Sequence, residues 1–257
     1  SHYPRQPKMY AMFDYYGIYC MDEADVEAHA NWDQSAYAKR LANIESWKAM
    51  MVDRTVRMVY GQRNHPSVIF WSLGNESSGG KNFNATYEAV RKLDPRPIHY
   101  EGATRDATAP TDIFSEMYPT VDEATKHAAG NRSHDATQPY FMCEYAHAMG
   151  NAVGNLQEYW DGMENGKYGI GGCIWDWVDQ SIYDAQDIKN GTTVQNGVHR
   201  YMSGEDYGGP HQGNFVNNGL VNGEREWSAE LNEVKRVYQY VKLLGFDATT
   251  KQVTLRN

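Results

Sequence analysis

The sequence predicts a parallel α/β fold of the (β/α)8 TIM-barrel type. Short apolar runs alternate with segments of helical periodicity along most of the chain, and six predicted strands follow one another in a single series. Most of these strands end on a carboxylate or an aromatic residue, and the catalytic groups of such barrels lie at the carboxyl ends of the strands. Because eight strands close the barrel, we expect a truncated barrel that contains strands 3–8.

The first half of the chain is predicted to supply three of the six strands. In order, we expect a helix entered from a loop within residues 1–16, a strand at 18–21, a helix at 46–61, a strand at 68–73, a helix at 82–93 and a strand at 98–101. The strands are short apolar runs, and each leads to an acidic residue. An apolar stripe that includes Trp47 predicts the second helix, and Asp94 and Pro95 end the third.

The second half is predicted to supply the remaining strands and then a long loop. We expect a strand at 113–118, a helix at 121–129, a strand that begins at Tyr140, a helix at 154–164 and a last strand at 172–177. Residues 178–227 are rich in Gly, Asn and Asp, and so long an irregular stretch in a compact domain is usually a functional loop. A helix at 228–242 ends a barrel domain of residues 1–242. The alternating tail 243–257 is predicted to begin a C-terminal β-sandwich domain.

Composition limits the classes of partner. The 257 residues carry 24 Lys and Arg against 33 Asp and Glu, a net charge of −9, which argues against nucleic acid or an anionic membrane as partner. No apolar segment approaches the ~18 residues that would cross a bilayer. Aromatic residues make up 13% of the chain. They fit either a well-filled core or a site in which rings stack on a sugar, and composition does not separate the two.

The cysteines and the start of the chain carry less information. Cys20, Cys143 and Cys173 lie in strand-like runs, and an odd number in such positions predicts buried free thiols rather than a disulfide framework. The chain opens with Ser-His-Tyr-Pro and no initiator methionine. We therefore expect its true N terminus to be missing, which leaves the compartment open.

Two glutamates occupy the same kind of position. Glu76 follows the apolar run at 68–73, and Glu144 ends an apolar run that begins after Pro139. A carboxylate at the exit of a buried strand is unfavourable unless something pairs with it. Glycoside hydrolysis needs two acids, one that protonates the leaving oxygen and one that attacks or positions water. The alternative is that each glutamate caps a following helix.

A second pair of polar residues could bind a metal. Glu27 and His29 lie two apart in a segment predicted to be extended, so both side chains face the same side. With a further carboxylate they could hold a divalent ion, although a Glu-x-His pair alone is more often an ordinary surface or core feature.

Six motifs occur in order along nearly the whole chain. They are Ser-His-Tyr-Pro at 1–4, Asp-Glu-Ala-Asp-Val-Glu-Ala-His at 22–29, Arg-Asn-His-Pro-Ser-Val-Ile at 63–69, Trp-Ser-Leu-Gly-Asn-Glu-Ser at 71–77, Cys-Glu-Tyr-Ala-His-Ala-Met-Gly-Asn at 143–151 and Trp-Asp-Trp-Val-Asp-Gln-Ser at 175–181. Together they resemble glycoside hydrolase family 2. Within the family they are similar to the large β-galactosidases, a branch that the Ala-His-Ala-Met-Gly-Asn segment favours over glucuronidases and mannosidases.

This resemblance implies a retaining enzyme that cleaves terminal non-reducing β-D-galactosides by double displacement. Glu76 would be the general acid/base and Glu144 the nucleophile that forms a galactosyl-enzyme. Such enzymes hold the two carboxyls about 5–5.5 Å apart, and the acid keeps its proton near neutral pH if its pKa is raised. The resemblance also implies that Tyr118 hydrogen-bonds the nucleophile and that Asn75 contacts the sugar 2-hydroxyl.

Further residues acquire roles only through the resemblance. His2 and His147 would bind galactose hydroxyls, Trp175 would form the floor under the sugar, and Asn218 would lie close to the 6-hydroxyl. Trp177, by contrast, we interpret as core packing.

The resemblance also implies two metal ions. A Mg2+ ion would be held by Glu27, His29 and Glu76, and its oxygen-dominated ligands suit a hard cation. A Na+ ion would be held by Asn218 and the carbonyl oxygen of Phe215, in a stretch that departs more from the family pattern.

Three alternatives accompany this prediction. One is a non-catalytic carbohydrate-binding barrel that keeps the aromatic floor, and another is a metal-dependent hydrolase built on Glu27, His29 and Glu76. The third is that the chain is an inactive fragment, because the complete family members that it resembles carry β domains before and after the barrel. The parent of such a fragment is expected to be a homo-oligomer.

Overall fold

The computed structural model of the chain describes residues 1–31, 35–106, 109–132, 136–184, 186 and 201–257. Its centre is a series of six parallel strands arranged as two three-stranded sheets, β1-β2-β3 and β4-β5-β6. The strands are β1 (Cys20–Glu23), β2 (Val68–Ser72), β3 (Ile98–His99), β4 (Phe114–Met117), β5 (Tyr140–Tyr145) and β6 (Gly169–Ile174). The predicted alternation of parallel strands with helices is thus present, with bounds that differ by a few residues.

Helices connect these strands. They are α1 (Pro7–Tyr16), α2 (Glu45–Gln62), α3 (Lys81–Leu93), α4 (Gly102–Arg105), α5 (Val121–Ala128), α6 (Leu156–Asn165) and, near the end, α7 (Ala229–Val237). Local chemistry explains several ends: Gly17 closes α1 in the left-handed conformation, and Thr120 with Glu123 forms a capping box on α5. None of the described helices is both long and apolar enough to cross a lipid bilayer.

The two sheets meet between β3 and β4. The Asp112 N–H donates to the Ile98 carbonyl oxygen at 2.8 Å, and His99 Nε2 lies 2.7 Å from Ser115 Oγ. Helices pack against the sheets in two apolar clusters, one that includes Trp71 and one that includes Tyr140, and a smaller third cluster joins Ile113, Phe141 and Cys143. These contacts hold the six strands in sequence order, so their carboxyl ends lie at one end of the fold.

A chain of buried hydrogen bonds crosses the first four strands. Glu23, Ser72, His99 and Ser115, one each from β1 to β4, are all at most 6% exposed. Ser72 Oγ lies 2.8 Å from Glu23 Oε2 and 3.0 Å from His99 Nδ1, and His99 Nε2 continues the chain to Ser115. Burial lowers the pKa of His99 to about 4, so its imidazole is neutral at physiological pH. We refer to these four residues as the interior polar chain.

The last third of the chain differs most from its prediction. Residues 178–227 are not wholly irregular, because β7 (Ile182–Tyr183) pairs antiparallel with β8 (Tyr201–Met202), and much of the segment between them lies outside the described residues. The predicted helix at 228–242 is shorter, since α7 ends at Val237. The tail forms an antiparallel hairpin of β9 (Lys242–Asp247) and β10 (Gln252–Arg256). The division into two domains at residue 242 stays a prediction.

Two expectations about burial were wrong. Trp177 is 60% exposed, because it lies beyond β6 in a loop held by backbone pairing, with its carbonyl oxygen accepting from the Val221 N–H at 3.1 Å. Cys20 and Cys143 are buried as expected, but Cys173 is exposed. It lies on β6, which has a strand neighbour on one side only among the described residues.

Candidate active site

The two predicted catalytic carboxylates come from different sheets. Glu76 lies four residues beyond the end of β2 and Glu144 lies within β5. The charge of Glu76 is among the causes that raise the pKa values of Glu144 and Tyr118. The carboxyls of Glu76 and Glu144, which come from the carboxyl ends of strands in different sheets, therefore interact electrostatically.

Tyr118 contacts the candidate nucleophile directly. Its hydroxyl donates to Glu144 Oε2 at 2.8 Å, and its N–H donates to the Glu144 carbonyl oxygen at 2.8 Å. The tyrosine follows β4, has a left-handed φ of 49° and is 44% exposed. The end of β4 thus presents an accessible phenol to a carboxylate of the neighbouring strand, where the resemblance expects it.

Glu144 has a shifted pKa. The pKa of Glu144 is raised to about 7: burial is the largest cause and raises it, the Tyr118 hydrogen bond lowers it, and the charge of Glu76 raises it. Burial likewise raises the pKa of Glu101, at the start of α4, to about 7. The mouth is therefore a poorly solvated region in which a carboxyl exchanges its proton near neutral pH.

Three side chains form a cluster suited to a cation. Ligand atoms of Glu27, His29 and Glu76 all lie within 4.8 Å of one another. His29 Nδ1 is 3.2 Å from Glu27 Oε1 and 2.5 Å from Glu76 Oε2. The segment that carries Glu27 is fixed to the β2 exit, because the Asn75 N–H donates to the Val26 carbonyl oxygen at 3.0 Å. Two carboxylates and one imidazole fit a divalent ion that keeps some of its waters.

The first residues of the chain complete one side of the mouth. His2 Nδ1 lies 3.5 Å from Glu23 Oε1, and His2 Nε2 lies 3.6 Å from Glu27 Oε2. The His2 ring meets Trp175 edge-on at 4.8 Å between centroids. The structure therefore brings two of the predicted sugar-binding residues together, and the interior polar chain ends beneath them at Glu23.

His147 and the segment after Asn214 form the opposite side. The His147 ring lies 5.9 Å from Tyr118 and 5.5 Å from Phe215. Its Nε2 is buried without a hydrogen-bond partner in the described part of the chain. Such an atom is available to a sugar hydroxyl.

The predicted sodium ligands are also adjacent. Asn218 is 2% exposed, and its Nδ2 donates to the Phe215 carbonyl oxygen at 3.2 Å. Its Oδ1 is buried and has no hydrogen-bond partner among the described residues. An unpaired buried oxygen beside a carbonyl oxygen suits a small cation or a ligand hydroxyl.

Two residues at the mouth lie in motifs of the sequence analysis but were assigned no role there. The Tyr3 hydroxyl donates to Glu27 Oε2, and Glu23 contacts His2. Glu23 carried a signal, since it is one of two acids at the predicted end of β1. For Tyr3 the sequence offered only its place in the motif at 1–4, because its partner lies 24 positions away and its left-handed φ of 63° has no signature in the sequence.

Comparison with known proteins places this geometry in context. Residues 1–243 match the family described as "Glycosyl hydrolases family 2, TIM barrel domain". A β-galactosidase of Priestia megaterium is 37% identical over 264 residues, which cover 100% of this chain and 24% of that protein. The chain thus spans about a quarter of the length of this curated relative.

Solved structures resemble the fold at lower identity. A Bacteroides uniformis β-glucuronidase superposes with a TM-score of 0.61 at 15% identity and covers 95% of this chain and 31% of its own. A β-galacturonidase of Eisenbergiella tayi, bound to galacturonate, gives a TM-score of 0.59 at 16% identity, covering 92% and 43%. At this identity the likeness supports a TIM-barrel fold alone.

Proposed function

We propose, from the premise that this chain belongs to glycoside hydrolase family 2, that it carries the catalytic centre of a retaining β-galactosidase. The observation that supports this proposal most directly is the pairing of Glu144 with the Tyr118 hydroxyl at 2.8 Å, in electrostatic reach of Glu76. The Glu144 carboxyl is hydrogen-bonded to the Tyr118 hydroxyl and the Glu76 carboxyl is not. The two carboxyls therefore have different environments and can take different roles.

In the first step Glu144 attacks the anomeric carbon of the galactoside. The bond from that carbon to the glycosidic oxygen breaks, and Glu76 gives its proton to the departing oxygen. The Tyr118 hydrogen bond lowers the pKa of Glu144, which favours the ionised form that attacks. The product of this step is a galactosyl ester of Glu144 and a free alcohol.

In the second step the ester is hydrolysed. Glu76, now ionised, takes a proton from a water molecule whose oxygen bonds to the anomeric carbon. The bond between that carbon and the Glu144 oxygen breaks, which restores the carboxylate. The Tyr118 hydroxyl again assists, because it donates to the oxygen on which negative charge develops.

Several side chains would position the sugar. Asn75, beside the acid, would contact the 2-hydroxyl, a hydrogen bond that strengthens in the transition state. The unpaired Nε2 of His147 and the His2 ring would bind further hydroxyls. Trp175, against which His2 packs, would lie under the ring, and the Asn218 amide would lie near the 6-hydroxyl.

The charge of the mouth supports a neutral sugar over a uronic acid. Besides the two catalytic candidates, it contains Glu23, Glu27 and Glu101, and Glu23 raises the pKa values of Glu144 and Glu101 through its charge. The carboxylate of a glucuronide or galacturonide would be repelled there. We therefore expect a nitrophenyl galactoside to have the higher kcat/KM when it is compared with the matching galacturonide.

We further propose that Glu27, His29 and Glu76 hold a Mg2+ ion. When bound, the ion would add positive charge beside Glu76 and so tune its acidity. Asn218 and the Phe215 carbonyl oxygen would hold a Na+ ion, which the buried, unpaired Oδ1 of Asn218 supports. Neither ion takes part in the bond changes described above.

The cluster of Glu27, His29 and Glu76 also favours a second candidate, a hydrolase in which the metal itself activates water. The two can be separated by chelation. Removing the ion should abolish activity in the metal-dependent hydrolase, whereas the galactosidase should keep a reduced, measurable rate.

Covalent trapping tests the proposal. The complete protein is treated with a 2-deoxy-2-fluoro galactoside that has a good leaving group, and its peptides are then analysed by mass spectrometry. We expect the label on Glu144. A label on another residue would overturn the assignment of roles. A non-catalytic sugar-binding barrel would give no label, and the Glu144→Gln variant would then bind the sugar as the wild type does.

A further inference from the structure

The loop that carries Glu76 has an unfavourable backbone. Glu76 and Ser78 have left-handed φ values of 36° and 56°, although neither is glycine. Such conformations persist only where surrounding contacts hold them, because each is unfavourable by about 1–3 kcal/mol. The contacts that hold this loop therefore decide where the Glu76 side chain points.

Two consecutive residues at the exit of β3 supply two of those contacts, beside the hydrogen bond that Ser78 Oγ donates to the Asn31 carbonyl oxygen at 3.2 Å. The Glu76 N–H donates to Glu101 Oε1 at 2.9 Å, and the Tyr100 hydroxyl donates to the Ser78 carbonyl oxygen at 2.6 Å. Both side chains are buried, with exposures of 3% for Glu101 and 0% for Tyr100. We call these two residues the β3 exit clamp.

The clamp is itself fixed from behind. The Tyr100 ring stacks on Phe83 of α3 at 3.8 Å between centroids and 22° between planes. Arg105 Nε of α4 lies 3.6 Å from Glu101 Oε2. The β3 exit clamp is therefore supported by stacking on α3 and by the ion pair with Arg105 of α4, in addition to its contacts with the Glu76 loop.

We infer that Tyr100 and Glu101 are positioning residues that fix the backbone of the Glu76 loop and so direct the Glu76 carboxyl toward the glycosidic oxygen. This inference rests on the proposed role of Glu76 as general acid. Neither clamp residue needs to touch the sugar, because each acts on a backbone atom of the loop. Losing a clamp contact should misplace the acid while the Glu144–Tyr118 pair stays in place.

A misplaced acid has a characteristic kinetic effect. Departure of an alkoxide needs a proton from the acid, whereas a dinitrophenolate leaves without one. The kcat/KM value reports the steps up to cleavage of the glycosidic bond, in which Glu76 is the proton donor. A clamp variant should therefore lose kcat/KM for methyl β-galactoside and keep it for 2,4-dinitrophenyl β-galactoside.

The test compares both substrates in the complete protein. We expect Glu101→Leu to lower kcat/KM for the methyl galactoside about tenfold more than for the dinitrophenyl galactoside. Glu101→Gln keeps an oxygen that can accept from the Glu76 N–H, so the ratio between the two substrates should return close to that of the wild type. Tyr100→Phe keeps the stacking on Phe83 but loses the hydrogen bond to Ser78. It should shift the ratio between the two substrates in the same direction as Glu101→Leu, by a smaller factor.

A matched variant controls for general damage. Tyr10 is also fully buried, and its hydroxyl donates to Asp22 Oδ1 at 2.6 Å, away from the Glu76 loop. Tyr10→Phe should lower the melting temperature without changing the ratio between the substrates. If Glu101→Leu fails to fold, Tyr100→Phe still decides the question.

The outcomes separate the two proposals. Equal losses on both substrates, or no loss on either, would overturn the clamp while leaving the galactosidase assignment intact. A wild-type protein that hydrolyses neither substrate would overturn the proposed function. It would also overturn the inference that Tyr100 and Glu101 position a general acid.

Discussion

The hydroxyl of Tyr118 hydrogen-bonds the carboxyl of Glu144. It donates to Glu144 Oε2 at 2.8 Å and lowers the pKa of that carboxyl against the opposing effect of burial. Tyr118→Phe should therefore raise the pKa of Glu144 further above about 7. The acidic limb of the kcat/KM profile should move to higher pH, and kcat should fall roughly ten- to a hundredfold, the effect of losing a hydrogen bond to a charged group.

A second tyrosine–carboxylate pair provides the control for this variant. The Tyr87 hydroxyl donates to Asp112 Oδ1 at 2.6 Å, on the helical side of the fold. Tyr87→Phe should alter stability and leave the pH profile in place. If Tyr118→Phe and Tyr87→Phe gave the same profile, the phenol would have no part in the ionisation of Glu144.

The raised pKa of Glu144 also predicts a dependence of stability on pH. The folded chain holds this proton up to about pH 7, whereas the ordinary value of the group is 4.5, so the folded state binds more protons between these values. Stability should fall as the pH rises through this window and level off above it. Each pKa unit corresponds to about 1.36 kcal/mol, so the upper bound is about 3 kcal/mol.

Glu144→Gln tests this dependence. The variant has no carboxyl to ionise, so its melting temperature should exceed that of the wild type near pH 8 and approach it toward pH 5. Glu88→Gln, an exposed substitution on α3, should give a small difference that does not vary with pH. A Glu144→Gln difference that stayed constant across the range would contradict the prediction.

At the scale of elements, the exit of β2 depends on Gly74. This residue has a φ of 143°, and a Cβ atom there would lie 2.3 Å from the Val26 carbonyl oxygen. That oxygen accepts the Asn75 N–H and so aligns the segment of Glu27 with that of Glu76. Gly74→Ala should destabilise the chain by about 1–3 kcal/mol or more and weaken Mg2+ binding measured by titration calorimetry.

Gly61 provides the matched substitution. It lies within α2, and a Cβ atom there would meet nothing within 4 Å. Gly61→Ala should leave Mg2+ binding unchanged and raise stability by up to about 1 kcal/mol, the difference in helix propensity. Equal effects of the two substitutions would show that the close approach at Gly74 is unimportant.

The elements were predictable where the signal was local. Apolar runs located all six parallel strands, and the Thr120–Glu123 box marks a helix start that is visible in the sequence. The first strand was predicted two residues too early, because two consecutive acids, Asp22 and Glu23, indicate the end of a strand. In the structure both lie within β1, where Tyr10 hydrogen-bonds Asp22 and Ser72 hydrogen-bonds Glu23. Tertiary partners of this kind are not visible in a local pattern.

Long-range contacts explain the remaining differences. The two-residue strands β7 and β8 pair through Tyr183 and Tyr201, which stack at 5.1 Å between centroids but lie far apart in the sequence. In the candidate site, strand exits and motifs predicted Glu76, Glu144 and Tyr118 as site residues, whereas the contacts of Tyr3 and Glu101 depend on backbone geometry. A sequence can predict which residues end a strand more readily than what their side chains meet.

For the whole molecule, the open ends of the strand series are decisive. Among the described residues, β1 and β6 each have a strand partner on one side only, and the chain spans 24% of the length of its β-galactosidase relative. We expect the isolated 257-residue chain to show no turnover of a chromogenic β-galactoside, because the unpaired edges of β1 and β6 favour association with other chains over the arrangement described above. The complete protein, assayed in parallel, should be active. Turnover by the isolated chain would contradict this expectation.

The interior polar chain has a consequence for assembly. Its four residues come from four successive strands and satisfy one another in order, from Glu23 through Ser72 and His99 to Ser115. If one of these strands shifted its register by one position, its polar side chain would point out of the interior. The polar side chains of the other strands would then remain buried without a hydrogen-bond partner. The interior polar chain therefore makes mispaired registers of β1 to β4 energetically unfavourable. The same hydrogen bonds that lie beneath His2 thus also favour the correct register of these four strands.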